Sequence, residues 1–134
     1  MLVVDASVWV SSLIPQDSYH QASRGWLDRY LDRGGIVYEP VLLLSEVAGA
    51  VARLKADSQL GQQALQDLLE VPTLRLVPHD FDFGRVAAQM AADLRLRGAD
   101  VVYVTAAYLL QMPLVTWDRE QQQRAGSVIA VQTP

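Results

Sequence analysis

The sequence predicts an α/β protein, with three layers (α/β/α) around a central, mostly parallel five-stranded sheet. Two observations lead there. Short aliphatic runs near residues 2–4, 36–38, 74–77, 114–116 and 128–131 alternate with longer segments of helical period. Such runs fit strands of a parallel sheet covered by helices on both faces. Half of the chain (51%) is hydrophobic, enough for a core, and 134 residues suit a single domain over 1–134 rather than two.

Residues 2–5 read as a short buried strand ending on Asp5. A helix follows over 6–13, stopped by Pro15. Within 19–33, Ala22, Trp26, Leu27, Tyr30 and Leu31 recur at three- and four-residue steps, the period of an amphipathic helix, and Gly34-Gly35 ends it. Residues 36–38 form the second strand. Pro40 sits near the first turn of the next helix, which carries Glu46 toward Lys55. Ser58 caps a helix through Glu70, and 74–77 are the third strand. Asp80 caps a helix to about Arg97, with Phe83, Val86, Ala87, Met90 and Leu94 on one face and Gly98 as its stop. Asp100 is expected to cap the helix that runs to Gln111. Pro113 precedes the fourth strand, 114–116. A short helix over 119–124 ends near Gly126, and 128–131 complete the sheet.

Composition removes several chemistries. There is no cysteine, which excludes disulfides, zinc–thiolate sites and thiol catalysis and suits a reducing cytoplasm. No apolar run approaches the roughly 20 residues that span a bilayer. The first run contains Asp5 and has no basic residue before it, unlike a signal peptide. The expectation is a cytoplasmic protein with no membrane partner.

Four carboxylates stand out. Asp5 closes the first strand, and Asp118 follows the fourth across Thr116-Trp117. Asp100 lies just after Gly98, and Glu46 is alone among the aliphatics of 41–51. Acids beside buried segments are costly unless compensated, and a divalent cation compensates several at once. Parallel sheets collect ligands at the carboxyl ends of their strands, where Asp5 and Asp118 fall. Asp100 can face the same edge, and Glu46 joins if its helix turns that face inward. Each aspartate also has an ordinary alternative as a cap or turn residue. Glu46 has no obvious solvated role. One shared explanation is simpler than four separate ones. The net charge is −4, all of it accounted for by these four acids, and ten of the eleven basic residues are arginines, the side chain best suited to phosphate. An acidic balance therefore does not exclude a nucleic-acid substrate.

The motifs around these acids carry a resemblance. Val4-Asp5-Ala6-Ser7-Val8, Leu44-Ser45-Glu46-Val47, Arg97-Gly98-Ala99-Asp100-Val101-Val102-Tyr103 with Ala106-Ala107, and Leu114-Val115-Thr116-Trp117-Asp118 occur in this order over nearly the whole chain. Together they resemble the PIN-domain ribonucleases, most of all the VapC-type toxins of bacterial and archaeal toxin–antitoxin pairs. Val101 and Trp117 depart from the usual pattern, and neither replaces an acid. The resemblance implies a PIN-like fold and a metal-dependent endoribonuclease acting as the toxin of a type II pair. It implies Mg2+ or Mn2+ as cofactor, with Asp5, Glu46, Asp100 and Asp118 as the catalytic and metal-binding residues. It also implies an RNA substrate, a cognate VapB-type antitoxin and a homodimer.

The chemistry of the residues agrees, because hard cations prefer carboxylate and water oxygens. Asp5 and Asp100 are the first choices as direct ligands. Glu46 and Asp118 bind directly, act through water or orient the nucleophile. Ser7 and Thr116 can orient the carboxylates or make local turn bonds. Arg95, Arg97 and Arg119 flank the acids, available to phosphate or to solvent. His20 and His79 stand apart and read as packing or surface residues, and Trp9, Trp26 and Trp117 read as core. Leu43, Val47, Val51, Leu54, Leu60, Leu65, Leu68 and Leu69 exceed the needs of one buried face. By resemblance, they suggest an antitoxin groove between the helices of 41–55 and 58–70. A receiver domain would need a lysine near the last strands, and the only lysine is Lys55. A haloacid-type phosphatase would need an Asp where Ser7 stands. The remaining alternative is a non-catalytic PIN-like interaction module that keeps these acids only as caps.

Overall fold

The computed structural model describes all 134 residues. Its elements run β1 (Val3–Val4), α1 (Ala6–Leu13), α2 (His20–Asp32), β2 (Val37–Pro40), α3 (Leu42–Lys55), α4 (Ser58–Leu69), β3 (Leu74–Val77), α5 (Phe81–Leu94), α6 (Gly98–Leu110), β4 (Leu114–Val115), α7 (Arg119–Ala125) and β5 (Val131–Gln132). Every strand pairing is parallel. The single five-stranded sheet expected is instead two ladders, β1-β4-β5 and β2-β3, joined by one bridge between Leu2 and Val37. The spatial order is therefore β3-β2-β1-β4-β5. The chain reverses its direction of travel across the sheet between β1 and β4, and ligands gather at the carboxyl ends beside such a switch.

The break between the ladders has a local cause. Tyr38 N–H donates to the Leu2 carbonyl at 2.9 Å, but the next β1 donor, Val4 N–H, meets no β2 carbonyl. It donates instead to Glu39 Oε1 at 3.1 Å. A buried carboxyl thus replaces a backbone rung, and β1 and β2 part just before Asp5.

Several boundaries differ from the sequence reading. Pro40 ends β2 instead of opening α3, because the ladder extends to the Pro40–Val77 pair. Asp57, not Ser58, caps α4, accepting from Gln59 N–H at 2.8 Å and Leu60 N–H at 3.3 Å. α5 stops at Leu94, where Arg95 takes the left-handed conformation (φ 54°), and Gly98 opens α6. Arg124 makes that early stop tolerable by donating to the Leu94 and Arg95 carbonyls. Asp100 is accordingly not a cap. Arg97 occupies that position without a side-chain bond, and Asp100 lies in the first turn. Val128 and Ile129 bond back to the Ala125 carbonyl and continue a turn, so β5 starts only at Val131.

One cluster of 25 buried residues forms the core, drawing on β1, α1, α3, α6 and β4. Tyr103 is the largest side chain fully inside it. Gly61 lets α4 cross close over α3, since a Cβ there would meet the Ala48 carbonyl at 2.6 Å. No helix is long and apolar enough to cross a membrane.

Candidate active site

Asp5 leaves the end of β1 with its backbone still in the ladder, its N–H donating to the Val115 carbonyl at 2.9 Å. Its side chain is buried and well held. Oδ2 accepts from Ser7 N–H at 3.0 Å and the Thr116 hydroxyl at 3.2 Å, and Oδ1 accepts from Gln121 Nε2 at 3.0 Å. Asp5 is therefore the N-cap of α1 as well as a candidate ligand.

Thr116, fully buried after β4, joins two acids. Its Oγ1 donates to Asp5 and accepts from Asp118 N–H at 2.9 Å. Asp118 caps α7 through Oδ1, which accepts from Gln121 N–H at 2.7 Å. Gln121 thus touches both acids, one with its side chain and one with its backbone. Ser7 orients Asp5 through its backbone alone, while its hydroxyl accepts from Trp117 N–H.

Glu46 projects from α3 toward the same place. Its Oε2 accepts from Tyr103 Oη at 2.5 Å. Burial raises its pKa, the tyrosine hydrogen bond opposes that, and Asp5 and Asp100 raise it further. The Asp100 carboxyl is also raised, first by burial and then by Asp118 and Asp5, with Arg97 opposing. The four acids predicted from sequence therefore share one electrostatic neighbourhood although they come from four separate stretches of chain. Tyr103 is shifted upward too, by burial and by Glu46.

Three participants escaped the sequence reading. Gln121 lies three residues after its cap, the spacing of a capping box, yet its amide goes to Asp5 instead of back to Asp118. Tyr103 follows Asp100 by nearly one turn and stands in the sequence only as the end of the Arg97–Tyr103 motif, with no role attached. Glu39, behind Asp5, lies just past the strand expected over 36–38. Fully buried, its carboxyl is pushed well above the ordinary range by desolvation, against hydrogen bonds from Trp9 and Val4.

Of the flanking arginines, only Arg97 acts electrostatically on Asp100. His20 bonds the Ser11 carbonyl and His79 stacks on Phe83, as befits packing residues. Trp117 is half-buried, with Tyr19 stacked on it at 4.1 Å.

The donor set suits a hard cation. Both oxygens of Asp100, Oδ2 of Asp118 and Oε1 of Glu46 accept no hydrogen bond within the chain. No three of the acids stand close enough together to hold a metal ion by themselves. An open set of this kind fits an ion that keeps part of its water shell, as magnesium does.

The PIN-domain family profile matches residues 2–127. The chain belongs to the PIN-domain family. Proteins of this family are generally nucleases. Solved structures agree on the fold of this PIN domain. It resembles the FitAB assembly bound to an IR36 DNA fragment, at 24% identity and TM-score 0.77 over 100% of this chain and 95% of that one. It is similar to VapBC2 of Rickettsia felis bound to a promoter DNA fragment, at 12% identity and TM-score 0.74 over 98% and 97%. It is also similar to VapC20 of Mycobacterium tuberculosis, a sarcin–ricin-loop-cleaving toxin, at 17% identity and TM-score 0.75 over 92% and 94%. A comparison with curated protein sequences gives no match.

The raised acids predict a pH dependence. Glu46, Asp100 and Glu39 each bind a proton more tightly folded than unfolded. Their stabilising contribution is present below the ordinary carboxylate pKa of about 4 and is lost as pH rises through the folded values. Metal-free melting temperature should fall as pH rises above the ordinary carboxylate pKa of about 4, and less steeply in Asp100→Asn. Melts in a chelator across this range check it, and parallel slopes for the two proteins would contradict it.

Proposed function

We propose that this PIN domain is a metal-dependent endoribonuclease and the toxin of a type II toxin–antitoxin pair. One observation carries the reading. Beside the carboxyl ends of β1 and β4, Asp5 and Asp100 act electrostatically on Glu46, and Asp118 and Asp5 on Asp100, with oxygens of Glu46, Asp100 and Asp118 free of internal hydrogen bonds. Asp5 and Asp100 would hold Mg2+ or Mn2+ directly, with Asp118 and Glu46 completing the set directly or through water. Such an ion, when bound, activates water and neutralises charge on the scissile phosphate. The chain does the positioning. Thr116 and Gln121 fix the Asp5 carboxylate, and Tyr103 fixes Glu46. Glu46 Oε1, free of internal hydrogen bonds and with raised proton affinity, would take the proton of the attacking water.

The partners are a VapB-type antitoxin and a second copy of the chain. Leu43, Val47, Val51 and Leu68 are core, while Leu54, Leu60 and Leu69 stay exposed on α3 and α4 and offer the apolar area for a partner helix. A further cavity of about 330 Å³ opens between α1, α2 and α4, with Leu13 and Leu31 among its lining. Exposed Phe81, Tyr108, Leu109 and Val128 offer apolar area for a dimer.

The test is RNA cleavage with Mn2+ or Mg2+, abolished by a chelator and restored by metal, on protein whose mass is read by light scattering. A protein that neither binds these ions at millimolar concentration nor cuts RNA is an interaction module, and a monomer mass at micromolar concentration removes the dimer.

A further inference from the structure

Beside the acids, α1 and α3 enclose an open groove of about 430 Å³ with Ala6 and Ala50 among its lining and Ser7, Ser45, Glu46 and Arg53 as its polar residues. Glu46 makes this groove continuous with the candidate active site. Arg53 stands seven residues further along α3, roughly 10 Å away by helical rise. The chain's two ion pairs join Arg24 to Asp28 and Arg124 to Glu120, and Arg53 enters neither. Its guanidinium lies back over Gly49, where an added Cβ would come within 3.2 Å of Nη1. Alanine is the better helix former there. The glycine leaves the guanidinium room to lie along the helix toward Glu46. The Ser7 hydroxyl accepts from Trp117 N–H and its own proton has no acceptor within the chain.

We infer that this groove seats the RNA strand beside the scissile bond, with Arg53 binding a neighbouring phosphate. The inference rests on the ribonuclease reading above. A polyanion approaching a chain of net charge −4 is repelled, and the metal proposed above would offset only the carboxylates that hold it. An unpaired guanidinium further along the strand's path adds an attraction of its own, since its planar fork matches phosphate oxygens in a bidentate bond. Small side chains lining the groove let a sugar–phosphate backbone approach closely. An acidic segment of a protein partner is the other ligand such a cation takes, but the groove's continuity with Glu46 favours the strand being cut.

The experiment compares wild type, Arg53→Ala, Arg53→Lys and Arg33→Ala in steady-state cleavage of an unstructured RNA oligonucleotide with Mn2+ at several salt concentrations. Arg33 is an exposed arginine lining a separate cavity with Met1, before β1, and controls for net charge. Arg53→Ala should raise KM roughly tenfold, the effect of one charged hydrogen bond, and leave kcat within about twofold. The salt dependence of kcat/KM should lose about one unit of log–log slope. Arg53→Lys should recover part of the loss, and Arg33→Ala should match wild type. The assignment is overturned if Arg53→Ala matches wild type or Arg33→Ala, or if it lowers kcat at unchanged KM. It is equally overturned if Arg53→Ala weakens only binding of a partner protein. In those cases wild-type cleavage leaves the ribonuclease reading standing, whereas wild type that cuts no RNA removes both.

Discussion

Asp5→Asn is expected to abolish cleavage while leaving the metal-free protein folded. The side chain keeps its shape and loses its charge, and with it the strongest part of its attraction for a hard cation. The expected loss is at least 10²–10³-fold, the scale on which removing one charge-stabilising group acts. The fold should persist for reasons local to the site. Asn caps a helix about as well as Asp, so the bond from Ser7 N–H survives. The difficulty is Gln121, whose Nε2 donates to Asp5 Oδ1 and would face a second donor. Its own Oε1 is buried without a partner. A half-turn of the Gln121 amide brings that acceptor to the new NH2 and resolves the clash. Removing one of four mutually repelling charges also relieves the empty site. Melting in chelator should therefore be unchanged or slightly higher, and metal-induced stabilisation should vanish. Asp100→Asn should behave alike. A variant that melts far below wild type without metal would show that Asp5 serves mainly as the cap of α1, and the metal-site reading would fall.

The residues that were legible in the sequence are those whose role is set by local pattern. Asp5 and Asp118 stand out as candidates because each ends an aliphatic run, and the ladder bonds of β1 and β4 put them at the switch point. Glu46 stands out because it interrupts a helix of aliphatics. Boundaries failed where tertiary contacts overrode the local signal. Gly98 looks like a stop, but Arg124 ties down the carbonyls of Leu94 and Arg95 and ends α5 earlier. Asp57 and Ser58 are both good caps in sequence, and only the backbone path selects the first. The supporting bonds were illegible because they join distant positions, Gln121 to Asp5 and Tyr103 to Glu46. No periodicity encodes such pairs. Glu39 carries no local signal of its role, because a charge at a strand end is ordinarily solvated and nothing local reveals that two strands part there.

Glu39→Ala is expected to be among the most destabilising single changes in the chain. Glu39 Oε1 accepts from Val4 N–H and from Trp9 Nε1, each at 3.1 Å, inside a fully buried pocket. Truncation strands both donors away from water and opens a cavity between β1, β2 and α1. Each buried orphan costs about 1–3 kcal/mol and the lost packing adds to it, so a total of about 3–5 kcal/mol is expected. Burial pushes the carboxyl toward its protonated form, and the neutral group, unlike a carboxylate, does not add a fixed charge behind Asp5. Glu39→Gln is the informative control. Its amide oxygen takes both bonds at nearly the same volume, and its NH2 replaces an Oε2 that already lacks a partner. That variant should stay within about 1 kcal/mol of wild type, the net worth of an ordinary hydrogen bond. It should also lose the Glu39 share of the pH dependence, so its metal-free stability falls less between acid and neutral pH. Denaturant unfolding of the three proteins at pH 5 and pH 7 measures both effects. If the Ala and Gln variants are equally unstable, the two hydrogen bonds at Oε1 are not what holds the ends of β1 and β2 together.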